Sequence, residues 1–173
     1  MNDQKKIIDI LRNDEMVKAI KKNDVRQIKK LIDSGYDLNN NIVNGITPLM
    51  IAAGLNSYKS LKKLISLGAN INIIDNKQQS VLMYCIPCNS FSIAKFLISM
   101  NTIDINLKTS YGWDVLMLAI YYKSKRMIKL LLESEANPNS CLKDGTSALE
   151  FSIEKNEDDK SISNLLIDYG ARL

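Results

Sequence analysis

The run Cys85-Ile86-Pro87-Cys88 has the spacing of a thiol-redox pair, with proline before the second cysteine. Such a pair needs a thiolate at the N-terminus of a helix that follows a strand, where the dipole favours negative charge. Here the pair falls in the C-terminal half of an expected helix, where the dipole disfavours a thiolate. Cys85 also stands where an earlier copy of the same pattern has Ala52. It therefore reads as a small buried hydrophobe, with Pro87 ending the helix. A zinc site would have to recruit Cys141 and an acid from elsewhere in the chain. Histidine is absent, which removes the commonest general base and metal ligand and any Ser/His/Asp triad. No phosphate-cradling Gly-x-x-x-x-Gly-Lys loop or dinucleotide fingerprint occurs. Glu157, Asp158 and Asp159 are consecutive, so they point in different directions on a helix and read as a solvated surface. These residues point away from an enzyme and imply neither cofactor nor metal.

Composition narrows the class. The 46% hydrophobic and 24% charged shares suit an ordinary globular core, and 173 residues suffice to bury one. The net charge of +4 comes from lysines interleaved with acids, too mild a balance to argue for nucleic acid or a membrane surface. No run approaches the roughly 18 apolar residues of a membrane span. Three cysteines and a polar start, Met1-Asn2-Asp3-Gln4-Lys5-Lys6, give the expectation of a reducing, cytoplasmic location.

The elements that would carry these residues repeat. Thr47, Ser80, Asp114 and Ser147 are good helix N-caps spaced 33, 34 and 33 apart, and each is followed two residues later by leucine. Asp37-Leu38-Asn39 recurs as Asn70-Ile71-Asn72, Asp104-Ile105-Asn106 and Asn137-Pro138-Asn139 with the same period. Asn44-Gly45 favours a tight reversal, and Pro48 suits the first helical position. Apolar spacing predicts second helices through Ile28 and Leu31, Leu61 and Leu64, Ile93 and Leu97, Met127 and Leu131, and Ile162 to Asp168. The third copy has Gln78 where Gly45 sat and Met100 at its C-cap, and should be less regular. Gln4 to Leu11 reads as a short amphipathic helix covering the open end of the stack, and the polar last copy as the opposite cap.

The pattern Gly45-Ile46-Thr47-Pro48-Leu49, then Ala52-Ala53, Leu64-Ile65 and Gly68-Ala69-Asn70-Ile71-Asn72, resembles an ankyrin repeat. Gly112-Trp113-Asp114-Val115-Leu116 with Leu130-Leu131-Leu132, and Gly145-Thr146-Ser147-Ala148-Leu149 with Gly170-Ala171, resemble it more loosely. Met50, Met83, Met117 and Glu150 depart from it, standing where the family usually has histidine. The resemblance implies an all-α solenoid of about five helix-turn-helix repeats with projecting hairpin fingers. The expected organisation is one domain over 1–173, with a helical cap at 1–13 and repeats at about 14–43, 44–76, 77–110, 111–143 and 144–173.

It further implies a protein-binding module whose concave face is built from finger tips and first-helix ends. The latter fall seven and eight residues after each cap: Lys21 and Lys22, Gly54 and Leu55, Pro87 and Cys88, Tyr121 and Tyr122, Glu154 and Lys155. The fourth repeat concentrates Tyr111, Trp113, Tyr121 and Tyr122 at such positions, and tyrosine and tryptophan are the types enriched among interface hot spots. The bland alternative has Trp113 packing over its own finger and Tyr121 filling space between helices. Ile46, Leu55 and Gln79 extend the expected partner-binding set toward the second and third repeats. Two alternatives remain, nucleic-acid binding and self-assembly. Against the first, Lys62, Lys63, Lys95, Lys125, Arg126 and Lys129 fall on second helices, away from the aromatic residues. Against the second, the expectation is a monomer bound to a protein partner.

Overall fold

A computed structural model describes residues 10–155 and 159–172. Most of the expected N-terminal helix, together with Glu157 and Asp158, lies outside them; residues 10–13 are helical. Among the described residues ten helices follow: α1 (Glu15–Lys21), α2 (Val25–Asp33), α3 (Pro48–Gly54), α4 (Tyr58–Ser66), α5 (Val81–Tyr84), α6 (Phe91–Ser99), α7 (Val115–Tyr121), α8 (Lys125–Glu133), α9 (Ala148–Lys155) and α10 (Ser161–Asp168). Among the described residues the only β pairing is two isolated bridges, Val43 with Ile46 and Cys141 with Ser147. The fold is all-α, built from helix pairs.

The chain divides into two compact units, Met1–Ile93 and Ala94–Leu173. In the first, α1, α3 and α5 pack side by side, α2 packs on α4, and each helix of the α1–α2 and α3–α4 pairs packs on its mate. In the second, α7 packs on α8 and α9, and α9 on α10. The small residues set this spacing: Ala52, Ala53 and Ala119 are fully buried, so neighbouring helices approach closely. Met50, Met83 and Met117 are buried too, so the positions the family usually fills with histidine contribute apolar burial, about 1.5–3 kcal/mol each.

The first-helix caps bond as their residue types dictate, except Ser80, whose hydroxyl makes no cap bond to α5. Asp14 Oδ1 accepts from Val17 N at 2.9 Å, Thr47 Oγ1 from Met50 N at 3.4 Å, and Asp114 Oδ1 from Met117 N at 2.8 Å. The second oxygen of each aspartate ties the cap to a later segment. Asp14 Oδ2 accepts from the Tyr36 hydroxyl at 2.9 Å, and Asp114 Oδ2 accepts from the Ser140 hydroxyl. Ser147 and Glu150 form a capping box: Ser147 Oγ accepts from Glu150 N at 3.1 Å while Glu150 Oε2 accepts from Ser147 N at 2.8 Å. That bond from the backbone N–H holds the Glu150 carboxyl below its ordinary value.

The Asx-x-Asn signature has a physical reason. Its first residue folds the loop: Asp37, Asn70, Asp104 and Asn137 each accept from the backbone N–H two residues on. Its last residue can bridge to the next loop. Asn39 Oδ1 accepts from Asn70 N at 2.9 Å, and in the second unit Asn106 Oδ1 accepts from Asn137 N and Asn139 Oδ1 from Arg172 N, both at 2.9 Å.

The third helix pair is less regular, but not for the reason its sequence suggests. Gln78 takes the glycine conformation at φ +62°, and the residue holding the left-handed C-terminal position is Asn101 at φ +53°, not Met100. Asparagine tolerates that region better than other side chains. What changes is α5, which spans four residues where α1, α3 and α7 span seven. The backbone runs on through i→i+3 bonds, Cys85 N to Leu82 O and Ile86 N to Met83 O, before Pro87. The α-helix therefore stops at Tyr84, ahead of the proline. Asp75 ties this region together, accepting from Lys77 N and Gln79 N through Oδ1 and from the Tyr84 hydroxyl through Oδ2, all at 2.8 Å. Burial and that bond raise the Tyr84 phenol far above its usual value.

Candidate functional site

In the second unit the finger preceding α7 closes on itself. Thr109 N donates to Trp113 O at 2.7 Å, and Trp113 N donates to Thr109 Oγ1 at 3.1 Å. Gly112 turns the tip at φ +85°. The backbone of Trp113 is thus fixed on both sides before its ring makes any contact. The indole is half-buried, not interior. Its ring meets Tyr121 edge-to-face, with centroids 5.8 Å apart and planes at 90°, and meets Phe151 of α9 at 5.4 Å and 89°. Tyr121 meets Tyr122 at 5.2 Å and 81°. Each such perpendicular pair contributes about 0.5–1.5 kcal/mol beyond the area it buries.

The result is a row of rings, Tyr122–Tyr121–Trp113–Phe151, joining two helix pairs. Phe151 is 6% exposed and forms the floor; Tyr121 and Tyr122 are 50% and 46% exposed and form the accessible part. Tyr111, at the same finger tip, is 69% exposed. The Lys155 ammonium stands 5.6 Å from the centre of the Phe151 ring at the far end. Trp113, Tyr121 and Tyr122 are therefore brought together in one chain of ring contacts, and Tyr111 shares the finger of Trp113. Trp113 and Tyr121 do pack on neighbours, as the bland alternative has it, yet leave large ring area to solvent.

Phe151 and Lys155 were not among the sequence candidates for this cluster. The signal was present in the repeat register: Lys155 is the fifth-repeat counterpart of Tyr122, eight residues after its cap. Phe151 carries no such positional signal, because its meeting with Trp113 is a contact between repeats.

In the first unit, Leu55 is exposed at the end of α3, Ile46 is half-buried at the finger tip before it, and Gln79 is half-buried at the next finger. Among the described residues no ring contact or hydrogen bond joins these three. Asn76 N donates to Asn44 O at 3.0 Å, which docks one finger on the next. Lys21, Lys22 and Lys77 are exposed. Lys62, Lys63, Lys95, Lys125, Arg126 and Lys129 lie on second helices, as their spacing predicts.

The cysteines occupy unlike environments. Cys85 is fully buried, its thiol 3.6 Å from Val81 O, whereas Cys88 and Cys141 are exposed. Burial, reinforced by the neighbouring Cys88, pushes the Cys85 thiol up to about 12, the opposite of what a redox nucleophile requires. Among the described residues no three His, Cys, Asp or Glu side chains gather as a metal site would need, and no helix is long and apolar enough to cross a membrane.

No curated protein sequence matches the chain. The family model described as ankyrin repeats (3 copies) matches it twice, over residues 16–109 and 101–173. Ankyrin repeats generally mediate protein–protein interaction. Matched from residue 16 to residue 173, with paired helices, capped starts and closed fingers in both compact units, the chain belongs to the ankyrin repeat family.

Proposed function

We propose that this chain is a non-enzymatic, monomeric, intracellular scaffold that binds a protein partner through the finger tips and first-helix ends of its repeats, with the aromatic row of the second unit as the anchor. The supporting observation is the half-buried Trp113, held between Tyr121 and Phe151 on a finger closed by one backbone–backbone bond and one from the Trp113 N–H to the Thr109 hydroxyl. A ring fixed in this way loses little conformational freedom when a partner covers it, so more of the buried area appears as affinity. Tyr111, Tyr121 and Tyr122 add exposed ring surface with polar ends that can hydrogen-bond a partner's backbone. Ile46, Leu55 and Gln79 supply a smaller contact set on the first unit.

Affinity capture with the wild-type chain beside Trp113→Ala and Tyr122→Ala, quantified by mass spectrometry, tests this reading. A partner bound through the row is retained by wild type and depleted by both variants, each losing roughly 1–3 kcal/mol of binding. Equal recovery by all three chains, with circular dichroism unchanged, removes the row from the account. Heparin retention well above physiological salt would favour the nucleic-acid alternative instead.

A further inference from the structure

The finger before α3 is a two-residue turn with both central residues left-handed, Asn44 at φ +52° and Gly45 at +81°. Ile46 N closes it by donating to Val43 O at 2.9 Å. The peptide unit joining Asn44 to Gly45 is held at both ends. Its carbonyl oxygen accepts from Asn76 N of the next finger at 3.0 Å, and its N–H donates to Asn41 Oδ1 at 2.7 Å. Asn41 and Asn44 are both exposed. An asparagine before glycine can react with its own backbone, because no Cβ obstructs the approach of the glycine nitrogen to the side-chain carbonyl. Two such Asx-Gly steps occur in the chain, Asn44-Gly45 and Asp144-Gly145. The second is disarmed at the electrophile. Asp144 Oδ1 accepts from Thr146 N at 2.9 Å, which holds the carboxyl below its ordinary value, and an ionised carboxylate resists attack. The neutral Asn44 amide lacks that protection, and what restrains it is the clamp on its peptide unit.

We infer that Asn44-Gly45 is a self-modification site gated by Asn41, latent while the finger is closed and reactive once the Gly45 N–H is released. In the reaction Gly45 N, having given its proton to hydroxide, attacks Asn44 Cγ. The Cγ–Nδ2 bond breaks, ammonia leaves with a proton taken from water, and a five-membered succinimide remains. Water then opens either ring carbonyl, giving aspartate or isoaspartate. The nucleophile is the ionised amide, and a hydrogen bond donated to Asn41 Oδ1 stabilises the neutral N–H instead. Ring closure also requires the peptide plane to turn, which the bonds at its two ends oppose. The product carries a new negative charge, and isoaspartate lengthens the turn by one backbone atom. The docked finger has no room for it, since even a Cβ on Gly45 would lie 2.7 Å from Asn76 N. This site is separate in residues and in chemistry from the aromatic row, so either can fail without the other.

The test incubates the full chain at mildly alkaline pH and follows conversion at Asn44 by peptide mass spectrometry that distinguishes isoaspartate from aspartate. Folded wild type should convert about tenfold or more slowly than the same chain in guanidinium. Asn41→Ala should recover most of that difference, whereas Asn41→Asp, which keeps an acceptor oxygen, should stay slow. Thr47→Ala loses a helix cap but neither end of the clamp, and should also stay slow. Hydrogen exchange at the Gly45 N–H passes through the same ionised amide, so in wild type it should be slowed by a similar factor, whatever the folding of the variants. Folded wild type converting as fast as the denatured chain, Asn41→Ala as slow as wild type, Thr47→Ala as fast as Asn41→Ala, or an unprotected Gly45 N–H would each overturn the assignment.

Discussion

Replacing Gly45 by alanine should be far more costly than replacing Gly68, although both glycines sit in the left-handed region, at φ +81° and +97°. A Cβ on Gly68 meets nothing within 4 Å. Its cost is the conformational penalty, about 1–2 kcal/mol, less the roughly 0.4–1 kcal/mol gained because alanine restricts the unfolded chain. The net loss is then about 0.5–1 kcal/mol. A Cβ on Gly45 would lie 2.7 Å from Asn76 N and 2.8 Å from Asp75 Cα, which is backbone of the next finger and cannot swing aside. Overpacking of this kind costs about 1–3 kcal/mol, and displacing the finger endangers the bond from Asn76 N to Asn44 O, about 0.5–1.5 kcal/mol more. Gly45→Ala should therefore be less stable than Gly68→Ala by about 2–4 kcal/mol in urea denaturation followed by circular dichroism. The second unit provides a replicate. A Cβ on Gly112 would lie 2.9 Å from Lys143 N, whereas one on Gly145 meets nothing. Equal destabilisation within both pairs would refute finger-on-finger packing as the constraint.

The cysteines should separate by reactivity: at pH 8 a thiol reagent should modify Cys88 and Cys141 rapidly and Cys85 only on unfolding, and prompt reaction of all three thiols in the folded chain would contradict its burial. The Tyr36 phenol is raised from 10.0 to about 12, chiefly by burial, with its bond to Asp14 contributing. Because the raised value belongs to the folded state, its stabilisation is complete below pH 10 and lost as pH climbs from 10 toward 12. Melting temperature against pH should fall less steeply in that window for Tyr36→Phe than for wild type; identical profiles would remove Tyr36 from the alkaline transition.

How much of this was legible in the sequence depends on how local each feature is. Thr47, Asp114 and the Asx-x-Asn loops could be read directly, because a cap or an Asx turn is settled within three residues of chain. The exposure of Tyr121 and Tyr122 also followed from repeat register, since position within a packed helix pair fixes which way a residue faces. Asn101 was harder, because a left-handed C-terminal position need not hold glycine and its place shifts by one residue when the glycine is gone. Phe151 could not be found that way, as its contact with Trp113 depends on the packing of α9 against α7.

Site-specific photo-cross-linking asks most directly whether the ring row is where a protein docks. Benzoylphenylalanine would be placed at position Tyr111 or Tyr122, and at Lys30 on α2 as the control, in cells expressing the chain. The account predicts an adduct of one discrete mass at both aromatic positions, absent at Lys30 and abolished when Trp113→Ala is added. Cross-linking at Tyr111 and Tyr122 no stronger than at Lys30, or insensitive to loss of the indole, would contradict it.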